Sequence, residues 1–165
     1  MGRTPDPQRK YELISDSVPY VLSNGVATLS LRPLAAHLDT SARNLLYHFE
    51  TSAKLLELIM DEIKLREIES LKSEIKGTNT ELEIKDVVSH HLESFKSTLR
   101  AYVEYSFSIS FENAHRRSYL SDLISKWRDV LQNQVSADIA TSPWVERQLD
   151  AVFGLVLEKL AEIQS

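Results

Sequence analysis

The stretch LDTSARNLLYHF, Leu38 to Phe49, places four side chains with recognition chemistry within less than two helical turns: Arg43, Asn44, Tyr47 and His48. Arginine matches the two acceptors on a guanine edge, and asparagine matches the donor and acceptor of adenine. Tyrosine suits a phosphate or a thymine methyl group. Read this way, Arg43 and Asn44 are candidates for touching base edges and Tyr47 for the backbone or a thymine methyl, with His48 beside them on or near the open side. A polar helix face is equally a surface that stays solvated, and the two readings stand side by side at this point.

Catalytic chemistry is hard to assemble from the same chain. Its only glycines, Gly2, Gly25, Gly77 and Gly154, are scattered, so there is no phosphate-cradling loop, and neither G-x-S-x-G nor H-E-x-x-H occurs. With no cysteine, thiolate nucleophiles, thiolate metal sites and disulfides are all excluded. Asp86 and His90, four apart, supply at most two metal ligands on one helix face, while His90 and His91 are adjacent and face different ways. The reading is therefore not an enzyme, with no metal and no cofactor.

The elements that must position Arg43 and its neighbours are helices. In a chain of 165 residues, 42% of them hydrophobic, the one alternating stretch, YSFSISF from Tyr105 to Phe111, sits inside a longer helical pattern. The fold class is all-α. Asp6 and Pro7 open a first helix with apolar residues Leu13, Ile14, Val18, Val21 and Leu22, stopping at Asn24-Gly25 and bent near Ser15 by Pro19. A short second helix is capped by Ser30 and buries Leu31, Leu34, Ala35 and Leu38. After the turn at Asp39-Thr40, Ser41 caps a third helix with Leu45, Leu46 and Phe49 inward. Thr51 begins a long fourth helix through Ile75, and Thr80 with Glu83 forms a capping box for a fifth. A sixth carries the stripe Leu120, Leu123, Ile124, Trp127, Val130 and Leu131. Ser142-Pro143 opens a last helix with apolar positions from Val145 to Ile163. The domain division is 1–50 for the three short helices and 51–165 for the rest.

Two helices joined by a turn of three or four residues can present the second helix to a DNA major groove. The segment from Leu13 to Leu56 resembles the N-terminal domain of TetR-type transcriptional regulators. There an opening helix ends at a small residue, T-S-x-R-x-I-A-x-x-x-G-V-S follows, and L-Y-x-H-F leads into a capped fourth helix. Ser30, Arg32, Leu34, Ala35, Ser41, Leu45, His48 and Phe49 match, over about a quarter of the chain. Asp39 replaces the usual turn glycine, and Pro19 and Pro33 are unusual. Leu46 stands where the family often has tyrosine, so either Tyr47 takes over its phosphate contact or the contact is lost.

The resemblance implies a three-helix helix-turn-helix DNA-binding head joined by the long fourth helix to a C-terminal helical bundle. Phosphate contacts would come from Thr28, Thr40, Ser41, Tyr47 and Lys54, with base reading by Arg43, Asn44 and His48. It further implies a repressor that binds an inverted-repeat operator in double-stranded DNA as a homodimer and is released by a small-molecule effector. Candidate effector contacts are the aromatics Phe95, Tyr102, Tyr105, Phe107, Phe111, Tyr119 and Trp127, which at helical spacing are also plain core. Members commonly carry a further dimerising helix, so the body is expected to be shortened and to dimerise through its C-terminal helices, 143–163 included. Gly154 would permit a close crossing there.

Charge is compatible with this without demanding it. The net charge is −5, but up to Phe49 there are five basic and four acidic residues, a balance of +1, against −6 for the remainder. No apolar signal core opens the chain and no run of about 18 apolar residues would cross a bilayer, so a cytoplasmic location without membrane contact is expected. The rival reading is a helical protein–protein adaptor whose third helix docks in a protein groove without binding DNA.

Overall fold

The computed structural model describes residues 6–78, 80–106, 114–135, 142–151 and 154. Among these, all regular structure is α-helical: α1 (Pro7–Asn24), α2 (Leu31–His37), α3 (Ala42–Phe49), α4 (Ser52–Ile75), α5 (Glu81–Ser106) and α6 (Ala114–Gln134), with residues 143–151 helical as well. No helix among the described residues is long and apolar enough to cross a membrane. Packing divides the chain into two compact units, Met1–Lys64 and Leu65–Ser165. The division falls inside α4, later than the sequence boundary at 50, because Leu55, Ile59, Met60 and Ile63 are buried in the first unit.

In the first unit, most helix ends have an identifiable local cause. Asp6 accepts a hydrogen bond from the Gln8 N–H at 3.0 Å, with Pro7 following where a missing donor costs nothing. The inward stripe of α1 is Leu13, Ser17, Val18 and Val21, and the buried Ser17 hydroxyl is satisfied by donating to the Leu13 carbonyl at 2.6 Å. The helix carries Pro19 on its exposed side and continues to Asn24. Gly25, at φ 82°, ends it and donates to the Val21 carbonyl.

Helix α2 is only seven residues long, and Leu34 and Ala35 are its buried members. Leu31 is half-buried, and Ser30 occupies the cap position without any side-chain cap bond, contrary to the expectation from its type. The link to α3 is tight: Leu38 N–H donates to the Leu34 carbonyl and Thr40 N–H to the Ala35 carbonyl, at 3.0 and 2.9 Å. Asp39 takes the left-handed conformation, φ 48°, that the missing glycine would have supplied. Ser41 then caps α3, accepting from the Asn44 N–H at 3.1 Å. Leu45 and Phe49 are buried in the core, with the Lys10 ammonium 5.5 Å from the centre of the Phe49 ring.

In the second unit, Thr80 and Glu83 form the reciprocal capping box, with N–H to side-chain distances of 3.0 and 3.3 Å. Helix α5 packs on α6, and the stripe from Leu120 to Leu131 is buried as its period predicts. Ser142 caps the helical residues 143–151 by accepting from Val145 N–H, and Arg128 of α6 donates two hydrogen bonds to Glu146 at 3.2 and 2.9 Å. That pairing holds the Glu146 carboxyl below, and the Arg128 guanidinium above, their ordinary values. Val145 and Leu149 are buried; the other apolar positions expected on this helix, Val152 to Ile163, lie outside what is described of side chains. A Cβ placed on Gly154 would meet nothing within 4 Å, so no close helix approach within the described residues requires that glycine.

Burial differs sharply between two adjacent leucines of α3: Leu45 is fully buried and Leu46 is 41% exposed. Leu45→Ala is therefore expected to cost about 2–5 kcal/mol in the first unit. Leu46→Ala should stay within about 0.5 kcal/mol of the parent. Urea unfolding followed by far-ultraviolet circular dichroism separates the two; comparable losses would mean that α3 is rotated from this orientation.

Candidate nucleic-acid interface

A helix advances about 100° per residue, so fixing two inward residues fixes every other direction. With Leu45 and Phe49 inward, position 48 falls within about 60° of Leu45 and shares its face. His48 is accordingly buried, 8% exposed, against an expected outward position. Its ring packs edgewise on Tyr47 at 5.2 Å and tilted beside Phe49 at 6.1 Å, and its Nδ1 has no hydrogen-bond partner. His48 therefore serves the core of the first unit and presents no edge outward.

The outward stripe is instead Arg43, Leu46 and Tyr47, at i, i+3 and i+4. Arg43 is exposed and makes no ion pair with a described residue, and Tyr47 is 46% exposed. Leu46, expected to point inward, is the member of the face that sequence reasoning missed. The signal was present in the positions of Leu45 and Phe49, whose spacing already directs 46 outward. Asn44 is half-buried at the edge of the stripe, where its side-chain amide donates to the Thr40 hydroxyl at 2.9 Å. That bond ties the turn to the helix and uses one of the two N–H donors of the amide, which tethers its direction.

The remaining phosphate candidates are locally bonded. Thr28 is exposed and its hydroxyl donates to the Asn24 carbonyl at 2.9 Å. Ser41 and Thr40 act on α3 as described. Lys54 is exposed in the first turn of α4, where its N–H reaches the Thr51 cap and its ammonium lies 3.0 Å from Glu57 Oε1. Such an exposed pair is weak and readily exchanged for another anion. Two further features bracket α3: Asp39 at one end and Glu50 at the other, φ 48° and 66°, are the non-glycine residues with positive φ among those described.

In the second unit, the expected effector contacts Phe95, Tyr102, Tyr105, Tyr119 and Trp127 are all fully buried. Their rings pack on each other: Phe95 on Trp127 at 4.8 Å, Phe95 on Tyr102 at 5.2 Å, and Tyr105 on Tyr119 at 5.0 Å. Phe107 and Phe111 lie outside the described residues. None of the five lines the open groove of about 530 Å³ bounded by Ser89, Leu92, Glu93, Lys96, Gln148, Ala151 and Gly154. Among the described residues these five rings are buried against one another.

Against that core sits a buried polar group of residues that sequence reasoning did not single out. His91 is 2% exposed, with Nδ1 3.2 Å from Glu74 Oε1 and Nε2 3.8 Å from Glu67 Oε2. Thr98 donates to Glu67 at 3.0 Å, and the Trp127 ring covers the imidazole edgewise at 5.0 Å. Burial pushes the Glu67 carboxyl up, only partly offset by the Thr98 hydrogen bond and the His91 ring. Burial, reinforced by Glu67, also raises the Tyr102 phenol, whose oxygen has no hydrogen-bond partner among the described residues. Glu67 and Glu74 lie seven apart, on the same face of α4 as the buried Leu71. That spacing is the sequence signal that was available.

No protein-family model, curated protein or solved structure matches the chain.

The raised Glu67 carboxyl gives a signed pH dependence. Its contribution to stability is complete below the unfolded glutamate value, near about 4.3, and is lost as pH rises through the higher folded value. Glu67→Gln, which keeps an acceptor for Thr98, removes that loss. The melting temperature of the variant minus that of the parent is expected to increase from pH 4 to 7.5, measured by circular dichroism; a flat or falling difference would contradict the direction of the shift.

Proposed function

We propose that this chain is a DNA-binding transcriptional regulator of TetR type, with α2 and α3 as its helix-turn-helix and α3 as the element that enters the major groove. The observation that carries the reading is the outward stripe of α3: an arginine without an ion pair among the described residues, beside an exposed tyrosine, on a short helix capped by Ser41 and tied to its turn by Thr40 and Asn44. Arg43 is assigned to a guanine edge. Tyr47, Thr28, Ser41 and Lys54 are assigned to the phosphate backbone, the last by exchanging Glu57 for a phosphate. The resemblance of Leu13 to Leu56 to that family supports the same assignment.

A homodimer follows from the geometry of the duplex, since two heads reading half-sites one helical turn apart add their contacts. The second unit, 65–165, is assigned to dimerisation, through C-terminal helices that include 143–163, and to binding a small-molecule effector. An effector that prefers the dimer with the wrong head spacing weakens operator binding by the same coupling free energy, which makes the protein a repressor released by its ligand. Such a protein works in the cytoplasm, where bacterial-type operators are. One observation favours the rival adaptor reading: Leu46 and Tyr47 together give α3 an apolar contact surface that a protein groove would also accept.

Selection of bound duplexes from random DNA by the full chain distinguishes the two. An inverted repeat is expected, with affinity falling as salt rises, whereas an apolar docking helix would hardly respond. Arg43→Ala should lose about 1–3 kcal/mol at one base pair per half-site, with other positions unchanged. No enrichment even at low salt would leave the adaptor reading in place.

A further inference from the structure

The outward face of α3 is less polar than its sequence suggests, and that bears on what it can read. His48 is withdrawn into the core and one N–H of the Asn44 amide is engaged by Thr40, so of the three expected base readers one is removed and one is tethered. Between Arg43 and Tyr47 on the same stripe stands Leu46, 41% exposed. A single exposed leucine means little on a general surface. Here it lies at i+3 from the arginine, next to an exposed aromatic ring, on a helix held at both ends.

Resting on the DNA-binding reading, we infer that Leu46, with the Tyr47 ring beside it, takes up the C5-methyl group of a thymine one or two base pairs from the guanine that Arg43 contacts. In the major groove the thymine methyl is the apolar feature by which a base edge is told apart, and it is read by apolar side chains. Three residues of helix advance about 4.5 Å, against about 3.4 Å between successive bases of a strand. Arg43 and Leu46 therefore reach neighbouring steps. Glu50, the next residue along the stripe, is an exposed carboxylate at the C-terminal end of α3 and repels phosphate. That leaves the N-terminal part of the helix, Arg43 to Tyr47, to approach the duplex.

Replacing thymine by deoxyuridine removes this methyl group and nothing else. Each thymine in a duplex recovered from random DNA is replaced singly, and binding is measured for the parent chain and for Leu46→Ala, whose unchanged melting temperature confirms that it folds. One thymine per half-site is expected to lose about fourfold in affinity when replaced, the worth of one buried methyl-sized group. Leu46→Ala should bind more weakly and be indifferent to that replacement. A recovered duplex in which every deoxyuridine is neutral, or in which Leu46→Ala loses the same factor as the parent, overturns this inference alone. Failure to recover any duplex overturns the DNA-binding reading and this inference with it.

Discussion

Helix α3 has eight residues, well short of the dozen or more that hold a helix together in water, so its form and direction must be imposed by its surroundings. Leu45 and Phe49 supply the inward anchor, Ser41 satisfies an early N–H, and Asp39 and Glu50 turn the chain at either end in conformations that cost about 1–2 kcal/mol each for a side chain. The burial gained by two large side chains on one helix face outweighs that strain. Because a helix is rigid in rotation, the same two anchors decide that Arg43, Leu46 and Tyr47 face outward and that His48 does not. Every statement about what α3 touches descends from the burial of Leu45 and Phe49.

The second unit solves a different problem. A core of packed aromatic rings encloses charged and polar groups, and an isolated buried charge would be far too costly. The Nδ1 of His91 lies within hydrogen-bond distance of Glu74, its other edge faces Glu67, and Thr98 donates to Glu67, so each of these polar groups has a polar neighbour. The arrangement is directional, because His91 of α5 reaches Glu74 and Glu67 of α4 only where those residues lie level with it. The aromatic rings described in this unit pack on one another, and Trp127 joins them to the polar group through its edgewise contact with His91.

Legibility in the sequence tracked how local the cause was. Caps that depend on one residue and its third neighbour, at Asp6, Ser41, Thr51, Thr80 and Ser142, were readable, and so were the left-handed turns at Gly25 and Asp39. Ser30 was the exception, because a cap-forming type does not guarantee a cap-forming rotamer. The outward face of α3 was read by residue chemistry instead of by angle, which admitted the polar His48 and turned away the apolar Leu46. The division inside α4 was illegible because the apolar stripe runs unbroken past it from Ile59 and Ile63 to Leu71, and periodicity does not say which neighbour each turn packs against. The Glu67–His91–Glu74 group needed two helices aligned, which no local pattern conveys.

The charge around α3 constrains how any duplex would be held. Up to Phe49 the chain carries only one more basic residue than acidic, and of these Lys10 lies over the Phe49 ring, while beyond them Lys54 is shared with Glu57. Each phosphate neutralised contributes to sequence-independent attraction, so a head with so few free cations gains little from the backbone alone. Under the proposed function, discrimination would therefore rest on the few side chains that reach base edges and on the pairing of two heads. A face built from one arginine, one leucine and one tyrosine fits that requirement, since its apolar part gains from shape and burial and is insensitive to salt. On that reading the turns flanking α3 would do more than reverse the chain: they would hold the contact residues in place before a duplex is met.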